Sequence, residues 1–334
     1  MSADENTLTV TPDLILQIAS GFMAAKHLFI ANEVGLFDAL ASRPASLDDL
    51  AGRTGVPRRT MRILADAMIT LGLVERRADQ YRSSPVAASF LSGNGPGDLR
   101  PFLRFMNHIS YPAWLKFEDA IRSGQAQTLL GHFTPEEQRI YSEGVGALTA
   151  GQARALASTY DFGRHQRVLD IGGGTGSFLG AILRQHPHLR ATLYELPAVV
   201  PVAQQRLASA QATARVEVIG GDFFADPIPE GYDATLLANV VHLFGPERNR
   251  ALLGRIREAM PPGARLLLVD LWTNATHTEP PAAALMAGEF LVIAGEGDVY
   301  SEEEMREWLQ ATGWRTVEHR PLAGAASLIV AEAM

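Results

Sequence analysis

The chain has 334 residues, 47% hydrophobic and 20% charged, with a formal net charge of −8. That length accommodates two domains, or one large domain with an accessory one, around a substantial core. The acidic balance argues against a protein that lives on phosphate backbones, and the absence of cysteine excludes disulfides, thiolate metal sites and a cysteine nucleophile.

The first ten residues, MSADENTLTV, are polar and acidic, without the basic and apolar regions of a signal peptide. No uninterrupted apolar run reaches the roughly 18 residues of a membrane span. A cytoplasmic protein without a membrane partner is expected. Residues 11–32 read as a helix, with Thr11 as cap and Pro12 at the first helical position. Its apolar positions Leu14, Ile15, Ile18, Phe22, Leu28 and Phe29 spread broadly, which points to burial against a second copy of the chain.

In SLDDLAGRTG, Ser46 and Asp49 have the spacing of a capping box, Gly55 closes the helix and Pro57 opens a longer one ending near Gly72. A hairpin follows around Ala78-Asp79. Helix, turn, helix and hairpin make a winged-helix layout. PRRTMR puts Arg58, Arg59 and Arg62 on the would-be recognition helix, so a ligand-sensing transcriptional regulator is a rival function. The acidic balance and the large second domain favour a winged helix reused for dimerisation, with no nucleic-acid partner.

SGNGPGD at 92–98 reads as a loop. Residues 99–160 read as mainly helical and carry Phe102, Phe105, Tyr111, Trp114, Phe117, Phe133 and Tyr141, as plain core or as a pocket lining. From 166 the short apolar runs RVLDI, ATLYEL, VEVIGGDF, DATLLANVV and ARLLLVDL alternate with helix-like stretches. That is a βαβ series, hence a parallel sheet with helices on both faces. The last third reads as helix, strand, turn, strand, an antiparallel closing hairpin.

VLDIGGGTGSF follows the first strand of the series. It spaces Gly172, Gly174 and Gly176 as G-x-G-x-G with Asp170 two positions ahead. A dinucleotide fingerprint wants G-x-G-x-x-G, and position 177 is Ser. A cofactor without a pyrophosphate instead needs glycines that admit an amino-acid moiety and a ribose, with carboxylates nearby. Glu195 ends the second strand, suited to both ribose hydroxyls. Asp222 and Phe223 follow the third, suited to an adenine amine and ring. In this order the features describe an S-adenosylmethionine site of the class I methyltransferase type.

With these residues in view, nearly the whole chain resembles the caffeic-acid and acetylserotonin O-methyltransferase family, especially its bacterial members that tailor natural products. VLDIGGGTGSF, YELPAVV, GGDFF, EAMPPGARLLLVD and YSEEEMREWLQATGW fall in the family's order. The resemblance implies an α/β fold: a Rossmann-like domain with a mostly parallel seven-stranded sheet, behind a mainly helical, winged-helix-like dimerisation domain. It divides the chain into 1–98 for dimerisation, 99–162 as a helical linker contributing to the substrate pocket, and 163–334 for catalysis. It implies a homodimer, a small-molecule acceptor, and cofactor contacts at Gly172, Glu195, Asp222 and Phe223, with S-adenosylhomocysteine as product.

His242, in ANVVHLFG on what reads as the fourth strand, matches the family's catalytic histidine. A phenol with a pKa near 10 gains from a base, and a neutral imidazole can serve. The resemblance assigns its carboxylate partner, 28 residues on, to Asp270. The family's H-D-W becomes His242-Leu243-Phe244, its cofactor-touching lysine becomes Ala238, and its second supporting glutamate falls on Val299, beside Asp298. N- or C-methylation on the same scaffold is the alternative chemistry. Glu289, in the apolar stretch ALMAGEFLVIAG, is either a salt-bridged structural residue or a pocket group; His108, Tyr111 and Trp114 are candidate pocket residues. His186 and His188 are expected on a solvated turn. No histidine lies between 278 and 318 to supply the metal site of related keto-acid methyltransferases, so no metal is expected.

Overall fold

The computed structural model describes residues 11–93, 95, 97–125, 129–209 and 213–334. The stretch MSADENTLTV, and Asn94 and Pro96 of the expected loop at 92–98, lie outside the described residues. Contacts group the chain into two compact units, Met1–Asn107 and His108–Met334.

In the first unit α1 (Asp13–Glu33) starts one residue later than expected. The cap position therefore falls on Pro12, whose side chain has no acceptor, and Thr11 donates its hydroxyl to Asp13 instead (2.8 Å). Although polar residues interrupt its apolar run, α1 is long and apolar enough to cross a membrane by length and composition. Its residues Leu14, Ile15, Ile18 and Phe22 are exposed. α2 (Leu36–Leu40) leads to α3 (Leu47–Thr54), where the Ser46–Asp49 capping box forms and Gly55 closes the helix in the left-handed region. α4 (Arg58–Thr70) packs on α3 through Leu50, Met61, Ala65 and Met68. The hairpin β1 (Val74–Arg77) and β2 (Gln80–Ser83) turns at Ala78-Asp79, and Ala45 pairs with Tyr81 beside it. Arg58 and Arg62 are ion-paired to Asp48 and Asp66, so two of the three arginines of the would-be recognition helix already face carboxylates. α5 (Pro85–Phe90) and α6 (Arg100–Phe105) complete the unit.

The second unit begins with α7 (Tyr111–Trp114), α8 (Phe117–Ser123) and the long α9 (Pro135–Thr159). Pro135 at the first turn and a Thr134–Glu137 capping box set the start of α9. The βαβ series follows as β3 (Arg167–Ile171), α10 (Ser177–Gln185), β4 (Arg190–Glu195), α11 (Val200–Ser209), β5 (Val216–Gly220), β6 (Ala234–Ala238), α12 (Pro246–Ala259) and β7 (Arg265–Leu271). Then come α13 (Pro281–Ala294), α14 (Glu302–Ala311) and the hairpin β8 (Trp314–Ala323) and β9 (Ala326–Ala333). The seven strands lie in the order β5-β4-β3-β6-β7-β9-β8, parallel from β5 to β7 and closed by the antiparallel hairpin.

Both faces are buried by the two-residue alternation of a strand. Leu266 and Leu268 enter one apolar cluster, with Trp308 and Trp314, while Leu267 and Val269 enter the other, with Leu156 and Phe178. From β3 the chain runs outward to β4 and β5, then returns to β6 on the other side of β3. This change of direction opens a crevice at the carboxyl ends of the strands, where ligands bind in open α/β sheets.

Candidate active site

Gly172 follows β3 with φ +67°, a backbone region that L side chains rarely adopt. A Cβ there would meet Val240 Cγ2 at 3.0 Å and Phe223 Cε1 at 3.6 Å, so the loop, Phe223 and the chain after β6 converge on one point. Gly174, also left-handed (φ +56°), has open space around it, and its N–H donates to Glu195 Oε2 at 2.9 Å. Glu195 Oε1 accepts from the N–H of Leu196 at 2.7 Å. Burial raises the pKa of this carboxyl while the two backbone donors oppose the rise. Each oxygen keeps a lone pair for a ligand hydroxyl.

Asp170 lies fully buried beneath the loop, and neither carboxylate oxygen has a hydrogen-bond partner among the described residues. Burial, with the negative charge of Glu195, pushes its pKa up to about 8. An orphaned buried carboxyl is rare in a folded protein and marks a place completed by a ligand or water. The side chain of Asp222 accepts from the N–H of Phe224 (2.8 Å), and Arg255 braces the loop through the carbonyls of Phe223 and Asp226. The residues expected at the cofactor site, Asp170, Gly172, Gly174, Glu195, Asp222 and Phe223, thus line one stretch of the sheet's carboxyl edge.

β6 stops at Ala238, earlier than the run ANVV had indicated. Asn239 takes φ +57°, a conformation asparagine tolerates, and its amide donates to Gln152 of α9 (3.1 Å). His242 therefore sits on a 3-10 turn, Val241–Leu243. Asn249 of α12 holds that turn by donating to the carbonyls of Val241 (3.0 Å) and Phe244 (2.7 Å). The imidazole Nδ1 lies 2.6 Å from Asp270 Oδ1 at the end of β7. Asp270 is buried and anchored by the N–H of Leu271 (2.8 Å). A carboxylate only accepts, so Nδ1 carries the proton and Nε2 presents a lone pair. The ring of Phe290 covers one face of the imidazole.

The three departures around the histidine each have a structural reading. Phe244 packs edge-on against Phe223 (5.9 Å) and Phe224 (5.0 Å), with the Arg248 guanidinium over the Phe224 and Phe244 rings. Val299 is buried beside Phe290, while Asp298 is exposed and its N–H donates to the His242 carbonyl. Ala238 is a buried strand end.

Glu289 forms no salt bridge among the described residues. Its Oε2 accepts from Ser110 Oγ (2.8 Å) and Trp114 Nε1 (2.5 Å), and its Oε1 is buried without a partner. Burial raises its pKa, opposed by those two donors. Burial also raises the Tyr141 phenol, helped by the negative charges of Glu195 and Glu289. His108 is exposed, Tyr111 half-buried and Trp114 partly exposed. His186 is half-buried beside Phe162, with Nε2 on the carbonyl of Ala157, and only His188 of the pair is exposed. Ser110, Phe290, Asn249 and Gln152 belong to the site and were not singled out in the sequence. Only the adjacency of Phe290 to Glu289 could have drawn attention to any of them.

An O-methyltransferase domain family matches residues 116–315, and an O-methyltransferase dimerisation domain family matches residues 16–93, which takes in most of α1. The chain is 32% identical over 326 residues to the tetracenomycin polyketide synthesis 8-O-methyl transferase TcmO of Streptomyces glaucescens, covering 96% of each. It is 30% identical over 311 residues to the N,N-dimethyltransferase OxyT of Streptomyces rimosus, covering 90% of each. The solved structure of PigF with SAH superposes with a TM-score of 0.86 at 26% identity, covering 97% of this chain and 100% of that one.

Proposed function

The chain belongs to the O-methyltransferase family and is an S-adenosylmethionine-dependent methyltransferase, and from that premise we propose that it methylates a hydroxyl oxygen of a small aromatic metabolite with His242 as general base. The observation that carries this reading is the 2.6 Å contact between His242 Nδ1 and Asp270, which leaves Nε2 as the acceptor of a proton.

The orphaned Asp170 and the open space beside Gly174 fit the cofactor. Gly172 and Gly174 would admit its amino-acid moiety and ribose, Glu195 would accept from the ribose hydroxyls, and Asp222 with Phe223 would hold the adenine. When bound, S-adenosylmethionine supplies a methyl group already electrophilic on a sulfonium. The protein's share is alignment and proton removal. His242 Nε2 takes the proton that the acceptor hydroxyl loses, and Asp270 fixes the tautomer and stabilises the imidazolium. Phe290 shields the base from water. Helices α7 and α8 pack on α13 and would supply part of the acceptor pocket, which supports a substrate-binding role for the part of residues 99–162 that follows α6.

The apolar face of α1 supports a homodimer built on the first domain, and the ion-paired arginines of α4 weigh against nucleic acid. The cytoplasm is the compartment proposed, since a free acceptor and the cofactor meet there. N-methylation is the second reading, favoured by the identity to OxyT. The test is His242→Ala: turnover of a phenolic acceptor should fall by about 10²–10⁴ while S-adenosylhomocysteine binding, read by calorimetry, stays unchanged. Turnover within threefold of wild type would remove the base role and leave alignment alone, as an amine acceptor would require.

A further inference from the structure

Glu289 is a polar group built into an apolar helix with half of its bonding capacity unused. It comes from α13, one residue before the ring that packs on the base, and α13 contacts the turn that carries His242. It therefore lies in the neighbourhood of the base, where an acceptor hydroxyl must come.

Its two oxygens are treated differently. Ser110 and Trp114, from the segment before α8, both donate to Oε2. Oε1 has no partner although it is buried. An ionised carboxylate would place an uncompensated charge in this setting, since no cation pairs with Glu289 among the described residues, and burying an unpaired charge is costly. The acid form removes that cost. With the lone pairs of Oε2 directed at two donors, the proton belongs on Oε1, which turns the orphaned oxygen into a hydrogen-bond donor. A buried donor without a partner discriminates strongly for a ligand that supplies an acceptor, because any other ligand leaves it unsatisfied.

Resting on the methyl-transfer reading above, we propose that Glu289 is a neutral carboxylic acid whose Oε1–H donates to a carbonyl oxygen of the acceptor, so that the acceptors are hydroxylated aryl ketones and quinones rather than simple phenols. Glu289 is then a specificity-determining residue and takes no part in the proton transfer at His242.

The four hydroxy-9-fluorenones and the matching hydroxyfluorenes share one ring frame and differ by a C=O against a CH2. For at least one positional isomer, kcat/KM for the ketone should exceed that for the hydrocarbon by tenfold or more. Glu289→Gln, whose amide N–H can donate from the same place, should keep that preference within threefold. Glu289→Leu should reduce it below twofold with S-adenosylhomocysteine affinity unchanged, which shows that the variant is folded. Unhydroxylated fluorenone, which cannot be methylated, should bind about tenfold tighter than fluorene in calorimetry, and Glu289→Leu should abolish the difference. Equal binding of fluorenone and fluorene to wild type, or a ketone preference that survives in Glu289→Leu, would overturn the proposal. So would preferred turnover of an aminofluorene, whose N–H groups would call for Glu289 as an acceptor rather than a donor. If fluorenone binds selectively but no hydroxyl compound is methylated, carbonyl recognition stands and the O-methylation reading falls.

Discussion

The phenyl ring of Phe290 lies almost flat on the imidazole of His242, with ring centroids 3.7 Å apart and planes inclined by 13°. With Asp270 holding Nδ1 and Asn249 staking the turn beneath, the ring's last freedom, rotation about its own bonds, is blocked by this stack. Replacing Phe290 by Ala should lower kcat by about tenfold to a hundredfold, the scale of a misplaced catalytic group. The Kd for S-adenosylhomocysteine should not move. Phe290→Tyr should recover most of the rate; a rate for Phe290→Ala within twofold of wild type would show that the stack is packing alone.

Asp270→Asn tests the tautomer without emptying the space. An amide can donate to Nδ1, which drives the imidazole proton to Nε2 and removes the lone pair aimed at the acceptor. A fall in kcat of about 10²–10⁴ is expected, with the thermal midpoint little changed. Steady-state kinetics beside a melting curve distinguishes this from loss of the fold.

Asp170 carries a stability cost with a defined sign. Its pKa is 3.8 in the reference state and about 8 when folded, so between these values the folded chain holds a proton that the unfolded chain releases. Stability in the absence of cofactor should therefore fall as pH rises from about 4 towards 8. Asp170→Asn should be the more stable protein at pH 8, by a margin that shrinks towards pH 4. The gain amounts to about 2–4 °C in melting temperature per kcal/mol for a chain of this size class. A wild-type curve parallel to that of the variant would show that Asp170 is ionised in the fold.

The proposed homodimer rests on the exposed Leu14, Ile15, Ile18 and Phe22 of α1 and on a neighbouring apolar groove that includes Met23, Ile63 and Leu64. A contiguous apolar patch of this kind marks an association surface. Ile18→Glu with Phe22→Glu should halve the mass measured by light scattering. A mass unchanged from wild type would mean that the contact lies elsewhere.

Much of the catalytic unit was legible because its signals are local. The glycine loop, the carboxylates after the second and third strands of the series and, in the first unit, the capping box at Ser46 are short-range patterns with direct steric or hydrogen-bonding reasons. His242 was singled out by its match to a family signature instead, and the 3-10 turn that carries it was hidden, since Val240-Val241 read as a continuation of the strand that the structure ends before Asn239. The surroundings of Glu289 were out of reach for a different reason. Ser110 and Trp114 lie 179 and 175 residues away in sequence, and no periodicity links α7 to α13. The cap of α1 was misplaced by one residue because Pro12 and Thr11 both fit a helix start.

The indole of Trp114 donates to the Glu289 carboxyl, and this has an optical consequence. The chain has four tryptophans; Trp272, Trp308 and Trp314 are buried, whereas Trp114 is 38% exposed. A dissolved quencher therefore reaches this indole ahead of the three buried ones, and its bonding partner sits where an acceptor would be recognised. The protein carries its own unlabelled fluorescent gauge of that encounter, readable before any methyl group has moved.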